Sequence, residues 1–182
     1  MSKPDMSDWR STQMKQKNPH NLDKIQKSID DIKRILLPED DLLDIGCYHG
    51  HLYKKLGHEK YTGMDLFEHN VEQARNLNPG VKFLQGDVFS LEGKWDVIVC
   101  CRVLMHLPNF EEAIKKLRSC TRRRLAVVIP TSEVEHCDVE TSEEEKEKTY
   151  FRTFSKKMVI ATGGKILPYH KYSTVFYDPL LP

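Results

Sequence analysis

The sequence predicts an α/β fold: a doubly wound, mainly parallel seven-stranded sheet with an antiparallel terminal strand and helices on both faces. Three observations carry that expectation. Strand-like and helix-like stretches alternate five times up to Ile129, which is the pattern of parallel strands joined by helical crossovers. Two short β-prone runs, Lys165–Pro168 and Ser173–Tyr177, then follow one another closely and add an antiparallel edge. Finally, the apolar run Leu42–Ile45 enters a bend bracketed by Gly46 and Gly50 and leaves it as the helix-like segment His51–Leu56. Strand, glycine turn and helix form the entry of a βαβ unit.

Each element has its own signal. Residues 1–20 are polar, contain Pro4 and Pro19, and read as a mobile leader in which Trp9 and Met14 stand out. Residues 21–182 read as a single domain. From Asn21, a candidate cap, Leu22, Ile25, Ile29, Ile32, Ile35 and Leu36 recur at helical spacing until Pro38. That helix covers the sheet, and with Trp9 it could also serve as a lid. Strands are expected at Asp41–Ile45, Tyr61–Leu66, Val81–Asp87, Trp95–Cys101 and Leu125–Ile129. The fourth is almost unbroken in its apolar character, as for a strand buried on both faces. Val71–Leu77 is helical in pattern and stops at Asn78-Pro79-Gly80. Asn109–Leu117 is an amphipathic helix with Asn109 as its cap. The charge run 141–148 reads as a solvated helix or loop, and Thr153–Ala161 as a helix with Ser155 as a possible cap.

Composition removes several classes of function. With 182 residues there is length for one domain with a real core, and a net charge of +1 supplies no global field for nucleic acid or membrane surfaces. No apolar run reaches the length of a membrane span, and the polar start lacks a signal-peptide core, so a cytoplasmic location is expected. The five cysteines are odd in number and lack Cys-x-x-Cys spacing, which argues against a disulfide framework or a structural zinc site. His49 and His51 have no third ligand at matching spacing, and no metal is expected.

Asp44-x-Gly46-x-x-x-Gly50 at the end of the first strand, and Arg102-Val103-Leu104-Met105-His106-Leu107-Pro108 after the fourth, carry a family resemblance. Over residues 40–178 the chain resembles the class I S-adenosylmethionine (SAM)-dependent methyltransferases. A dinucleotide site is disfavoured, because Gly-x-Gly-x-x-Gly read from Gly46 places Tyr48 and His51 where glycines are required. Tyr48 also departs from the commoner methyltransferase pattern, which often has glycine there. Its side chain must point away from the cofactor or over the methionine arm.

In open α/β sheets ligands bind beyond the carboxyl ends of the strands, where Asp44, Asp65, Asp87, Cys101 and Arg102 are expected. Asp65 lies about twenty residues after the first motif and suits a ribose diol. The resemblance implies that Asp87 contacts the adenine amino group, Val88 lines its ring, and Asp44 with the Gly46 turn holds the methionine end. Cys47, Tyr48, Gly50, Leu66, Cys101 and Arg102 complete the expected cofactor set, with S-adenosylhomocysteine (SAH) as product. His106 is a candidate base for a hydroxyl acceptor, or else a histidine that bonds the backbone at a helix entry. Arg102 is the second catalytic candidate, able instead to bind an anionic substrate group. Tyr150, Arg152 and Tyr169 are placed to help form an acceptor pocket.

A small-molecule acceptor, reacting through a hydroxyl oxygen, is the expectation. The Asn/Asp-Pro-Pro-aromatic motif of base amino-group methylation is absent after the fourth strand, and no basic stripe with interleaved aromatics is visible. An RNA or protein methyltransferase and a non-catalytic partner subunit remain as alternatives. Oligomeric state is not legible.

Overall fold

The structure, a computed structural model, describes residues 22–107, 109–142, 147–169 and 171–180. Trp9, Met14 and Asn21 lie outside the described residues. A single 3-10 turn, Leu22–Ile25, runs into helix α1 (Gln26–Ile35). Ile25, Ile29 and Ile32 bury their side chains completely or nearly so, as their spacing demands. Asp31 sits on the buried side of the same helix and accepts hydrogen bonds from the Tyr169 hydroxyl at 2.5 Å and from Thr174 Oγ1 at 3.2 Å. The helix is therefore fastened to the carboxyl-terminal hairpin by a satisfied buried carboxylate.

Strand β1 (Leu42–Ile45), helix α2 (His51–Leu56), β2 (Tyr61–Asp65), α3 (Glu68–Leu77), β3 (Lys82–Gln85) and β4 (Trp95–Cys101) follow in strict alternation, except that a 3-10 turn replaces a helix between the last two. After a second 3-10 turn, Leu104–His106, come α4 (Phe110–Cys120) and β5 (Thr121–Ile129). The chain then forms β6 (Thr131–Ser132), β7 (His136–Ser142), β8 (Glu147–Ser155), α5 (Lys156–Ala161), β9 (Lys165–Pro168) and β10 (Ser173–Tyr177).

Seven strands make the main sheet, in the order β3-β2-β1-β4-β5-β10-β9, and β10 alone runs antiparallel to its neighbours. This is the expected architecture. Val97–Cys100 of β4 and Leu125–Ile129 of β5 are wholly buried, because helices cover both faces there. The order of the strands reverses at β1 and β4, which pair directly. A crevice therefore opens above their carboxyl ends.

Residues 131–155 differ from expectation. Strands β6, β8 and β7 form a separate three-stranded sheet; of the charge run, 141–142 and 147–148 are strand while 143–146 lie outside the described residues, and the helix begins at Lys156, not at Thr153. The reason lies in Tyr150, Phe151, Thr153 and Phe154, aromatic and β-branched residues suited to a pleated surface. The neighbouring charge run obscures them in the sequence. Phe154 is fully buried, 4.3 Å from the Phe110 ring. Ser155 caps α5 as expected, accepting from the Met158 amide at 3.2 Å. Asn109 makes no side-chain cap for α4; its amide donates instead to the Glu112 carboxylate.

Candidate functional site

The turn after β1 is built on left-handed backbone at Gly46 (φ 71°), Tyr48 (φ 50°) and Gly50 (φ 74°). Two donors, the Gly46 and Cys47 amides, share the Met64 carbonyl at 2.7 and 3.0 Å and staple the turn to β2. Gly46 leaves no room for a side chain, since a Cβ would lie 2.1 Å from Val103 Cγ2. The Gly46 turn and the segment after β4 are thus packed against each other.

Asp65, at the end of β2, completes the lock. Its Oδ2 accepts from the Tyr48 amide at 2.9 Å, and its Oδ1 accepts from the Phe67 amide at 3.1 Å and from Asn70 Nδ2 at 3.0 Å. A carboxylate offers about four acceptor positions. The open one lies on Oδ2. Asp87 plays a similar part after β3, where it accepts from the Phe89 amide and caps the 3-10 turn Val88–Ser90.

These strand ends surround one cleft. Gly46 and Tyr48 line it from the first turn, Asp65 and Leu66 from β2, Asp87 and Val88 from β3, and Arg102 and His106 from the segment after β4. Asp44, Cys47 and Cys101 line a smaller hollow that shares Gly46 and Tyr48 with the cleft. Gly50 lines neither; a Cβ there would meet the Asn78 amide and the Phe83 ring, so its part is to pack the start of α2. The Tyr48 ring stacks on His49 at 3.6 Å.

Asp44 is buried and accepts from the Tyr61 hydroxyl at 2.5 Å. Burial pushes its pKa up to about 7 from 3.8, with the Tyr61 bond opposing the rise. The folded chain therefore holds this proton in a range where the unfolded chain has released it. Stability from Asp44 is full below about pH 4, falls as pH rises through about 7, and is level above that. The amide introduced by Asp44→Asn does not titrate but still accepts from Tyr61. The unfolding free energy of wild type minus that of Asp44→Asn is expected to fall by on the order of 2–4 kcal/mol between those limits. Urea melts across the pH range check this, and a flat difference would contradict it. Burial also raises the thiols of Cys47, Cys100 and Cys101 above their ordinary range, so they act as small apolar side chains.

His106 is 7% exposed and meets the Phe151 ring of β8 edge-on at 5.0 Å. Arg102 has left-handed backbone (φ 60°), its amide donates to the Val128 carbonyl at 2.8 Å, and its guanidinium lies over the Tyr172 ring at 5.1 Å. Tyr169 and Arg152 do not line the cleft: Tyr169 bonds Asp31, and Arg152 pairs with Glu135. The Tyr150 side chain lies outside what is described. Phe67, Asn70, Val103 and Leu107 line the cleft without having been singled out from the sequence. Only Asn70 carried a readable signal, as a polar residue one helical turn beyond an acidic strand end.

A parallel sheet with this strand order, one antiparallel strand and a cleft over the β1–β4 switch defines a Rossmann-like fold of the class I methyltransferase type. A family model described as a methyltransferase domain matches residues 12–158, and the chain belongs to that family. It is 28% identical over 108 residues to the ubiquinone biosynthesis O-methyltransferase of Rickettsia akari, covering 55% of this chain and 43% of that protein. The Rickettsia prowazekii enzyme of the same name is 27% identical over 104 residues, 53% of this chain and 39% of its own. The chain thus matches less than half the length of these relatives. Among solved structures, magnesium protoporphyrin IX methyltransferase from Synechocystis PCC 6803 with bound SAH superposes with a TM-score of 0.63 at 19% identity, over 93% of this chain and 91% of that one. The glycopeptide N-methyltransferase MtfA gives 0.62 at 12%, over 85% and 90%. These two establish the fold.

Proposed function

We propose that the chain binds SAM in the cleft and transfers its methyl group to a hydroxyl oxygen of a small molecule. One observation carries the reading: residues from four separate strand ends converge on a single cleft whose charged residues on the β1–β3 side are acidic. The cofactor is a cation at both its sulfonium and its ammonium, and the carboxylates of Asp65 and Asp87 suit it. Leu66 and Val88 offer apolar faces for a purine, Asp87 an acceptor for its amino group, and the open position on Asp65 Oδ2 a partner for the ribose. Bound there, SAM supplies a methyl carbon already activated by its sulfonium.

The chain's own residues then have to align the acceptor and remove its proton. Alignment of this kind is worth roughly 7–11 kcal/mol. His106 lines the cleft, and its ring is held by Phe151; it takes the hydroxyl proton. Both Rickettsia relatives are O-methyltransferases by name, which supports oxygen as the acceptor atom. His106→Gln is expected to lower kcat about 100-fold while SAH affinity stays within about two-fold. Steady-state kinetics with calorimetry on the same samples test this; unchanged kcat would remove His106 from the chemistry. Labelled SAM with separate small-molecule, RNA and protein extracts tests the acceptor class. Label in RNA or protein alone would refute a small-molecule acceptor, and tight SAH binding without any turnover would point to a non-catalytic partner subunit.

No helix among the described residues is long and apolar enough to cross a membrane. We infer that the protein works in the cytoplasm on a diffusible acceptor.

A further inference from the structure

Arginine is paired throughout the described part of this molecule, with one exception. Arg34, Arg122, Arg123, Arg124 and Arg152 each meet a carboxylate, Arg75 meets Glu68 and the Phe83 carbonyl, and Arg118 meets the carbonyls of Thr162 and Asp178. Arg102 has no hydrogen-bond or ion-pair partner for its guanidinium among the described residues, and its Nε is fully buried with none. A buried guanidinium N–H without an acceptor is costly. The Arg102 backbone is also in a region that non-glycine residues avoid, and such departures gather at ligand sites. Arg102 nevertheless lines the cleft.

Position identifies what it awaits. Arg102 follows β4, whose neighbours are β1 on one side and β5 on the other. The cofactor residues Gly46, Asp65 and Asp87 come from the β1–β3 side. Arg102 leans the other way: its amide bonds β5 at Val128, and its guanidinium covers Tyr172, which opens into β10. His106 and the β8 strand that covers it stand near the same end of β4.

We propose that Arg102 is a specificity residue and that the acceptor carries an anionic group, a carboxylate or a phosphate, which pairs with this guanidinium while a hydroxyl is presented to His106. The tyrosine beneath the guanidinium holds its plane, and the planar fork then matches two oxygens of the anion. This rests on the methyltransferase reading above and adds the chemical class of the acceptor.

Calorimetry on the full chain, saturated with SAH, tests it with 4-hydroxybenzoate, 4-hydroxyphenyl phosphate and neutral 4-hydroxybenzamide. Wild type is expected to bind at least one anionic probe about ten-fold tighter than the amide, and the better anion says whether carboxylate or phosphate is the natural group. Arg102→Met and Arg102→Gly are expected to reduce that preference to within about two-fold, with SAH affinity changed less than about two-fold; Arg102→Lys keeps part of it. Glycine fits the left-handed backbone, so Arg102→Gly removes the cation without adding strain. No anion preference in wild type, or a preference that survives in both Met and Gly variants, would overturn the proposal. So would a loss of SAH affinity of about ten-fold or more in those variants, which would assign Arg102 to the cofactor's own carboxylate. Wild type that fails to bind SAH at all would instead defeat the methyltransferase reading.

Discussion

Asp65→Ala is expected to lower SAH affinity by at least about 100-fold and to destabilise the fold by about 2–4 kcal/mol. The size of the effect follows from how many things one carboxylate does. Asp65 is 7% exposed and accepts from the Tyr48 amide, the Phe67 amide and Asn70 Nδ2. Alanine leaves all of these donors without their partner in a site closed to most water, and a lost acceptor costs more than a hydrogen bond formed in water returns. The Tyr48 amide belongs to the turn after β1, so the change reaches the cofactor through that turn as well as directly. Asp65→Asn separates the two routes. Its amide oxygen can keep one set of bonds, but its NH2 group must face an N–H at the other. Calorimetry with SAH and urea unfolding on all three proteins provide the check. Affinity within about three-fold of wild type for Asp65→Ala would show that the ribose is held elsewhere.

Gly46→Ala should be almost as damaging. Left-handed backbone at an alanine costs about 1–2 kcal/mol. The new Cβ would also lie 2.1 Å from Val103 Cγ2, and overpacking of that kind costs about 1–3 kcal/mol. Val103 can be trimmed whereas the backbone cannot. Gly46→Ala combined with Val103→Ala should therefore recover the overpacking part and leave the conformational part. A double-mutant cycle by urea unfolding is expected to give a coupling energy of about 1–2 kcal/mol in favour of the pair. Additive single-site effects would mean that the turn yields without pressing on the segment after β4.

Much of this architecture was legible because it rests on local signals. Short β-prone and near-continuous apolar runs marked the strands, helical spacing marked α1 and α4, and acidic residues lay at the ends of the first three strands. The separate sheet over 131–155 was hidden because its aromatic residues adjoin a charge run that reads as solvated chain. Pairing of β7 with β8 depends on residues several positions apart, which composition in a window does not register. The site divides in the same way. Strand-end positions of Asp65, Asp87, Arg102 and His106 followed from the fold class and the motifs. Their partners did not: that Phe151 faces His106, and that Tyr172 rather than Tyr169 lies in contact with Arg102, depends on how distant segments pack. The bonds that tie Asp65 to Tyr48 and Asn70 were equally invisible, since an acid at a strand end looks the same whether it is empty or occupied.

The clasp between α1 and the carboxyl-terminal hairpin bears on how the molecule comes to be folded on the ribosome. Asp31 leaves the ribosome well before the hydroxyls it accepts from, which belong to residues 138 and 143 positions later. Until those residues leave the exit tunnel, Asp31 has only Arg34 of its own helix as a partner, and its Oδ2 stays in water. The β1–β5 units can assemble in the meantime, so nascent chains arrested before Tyr169 should carry a loose first helix on an otherwise ordered sheet.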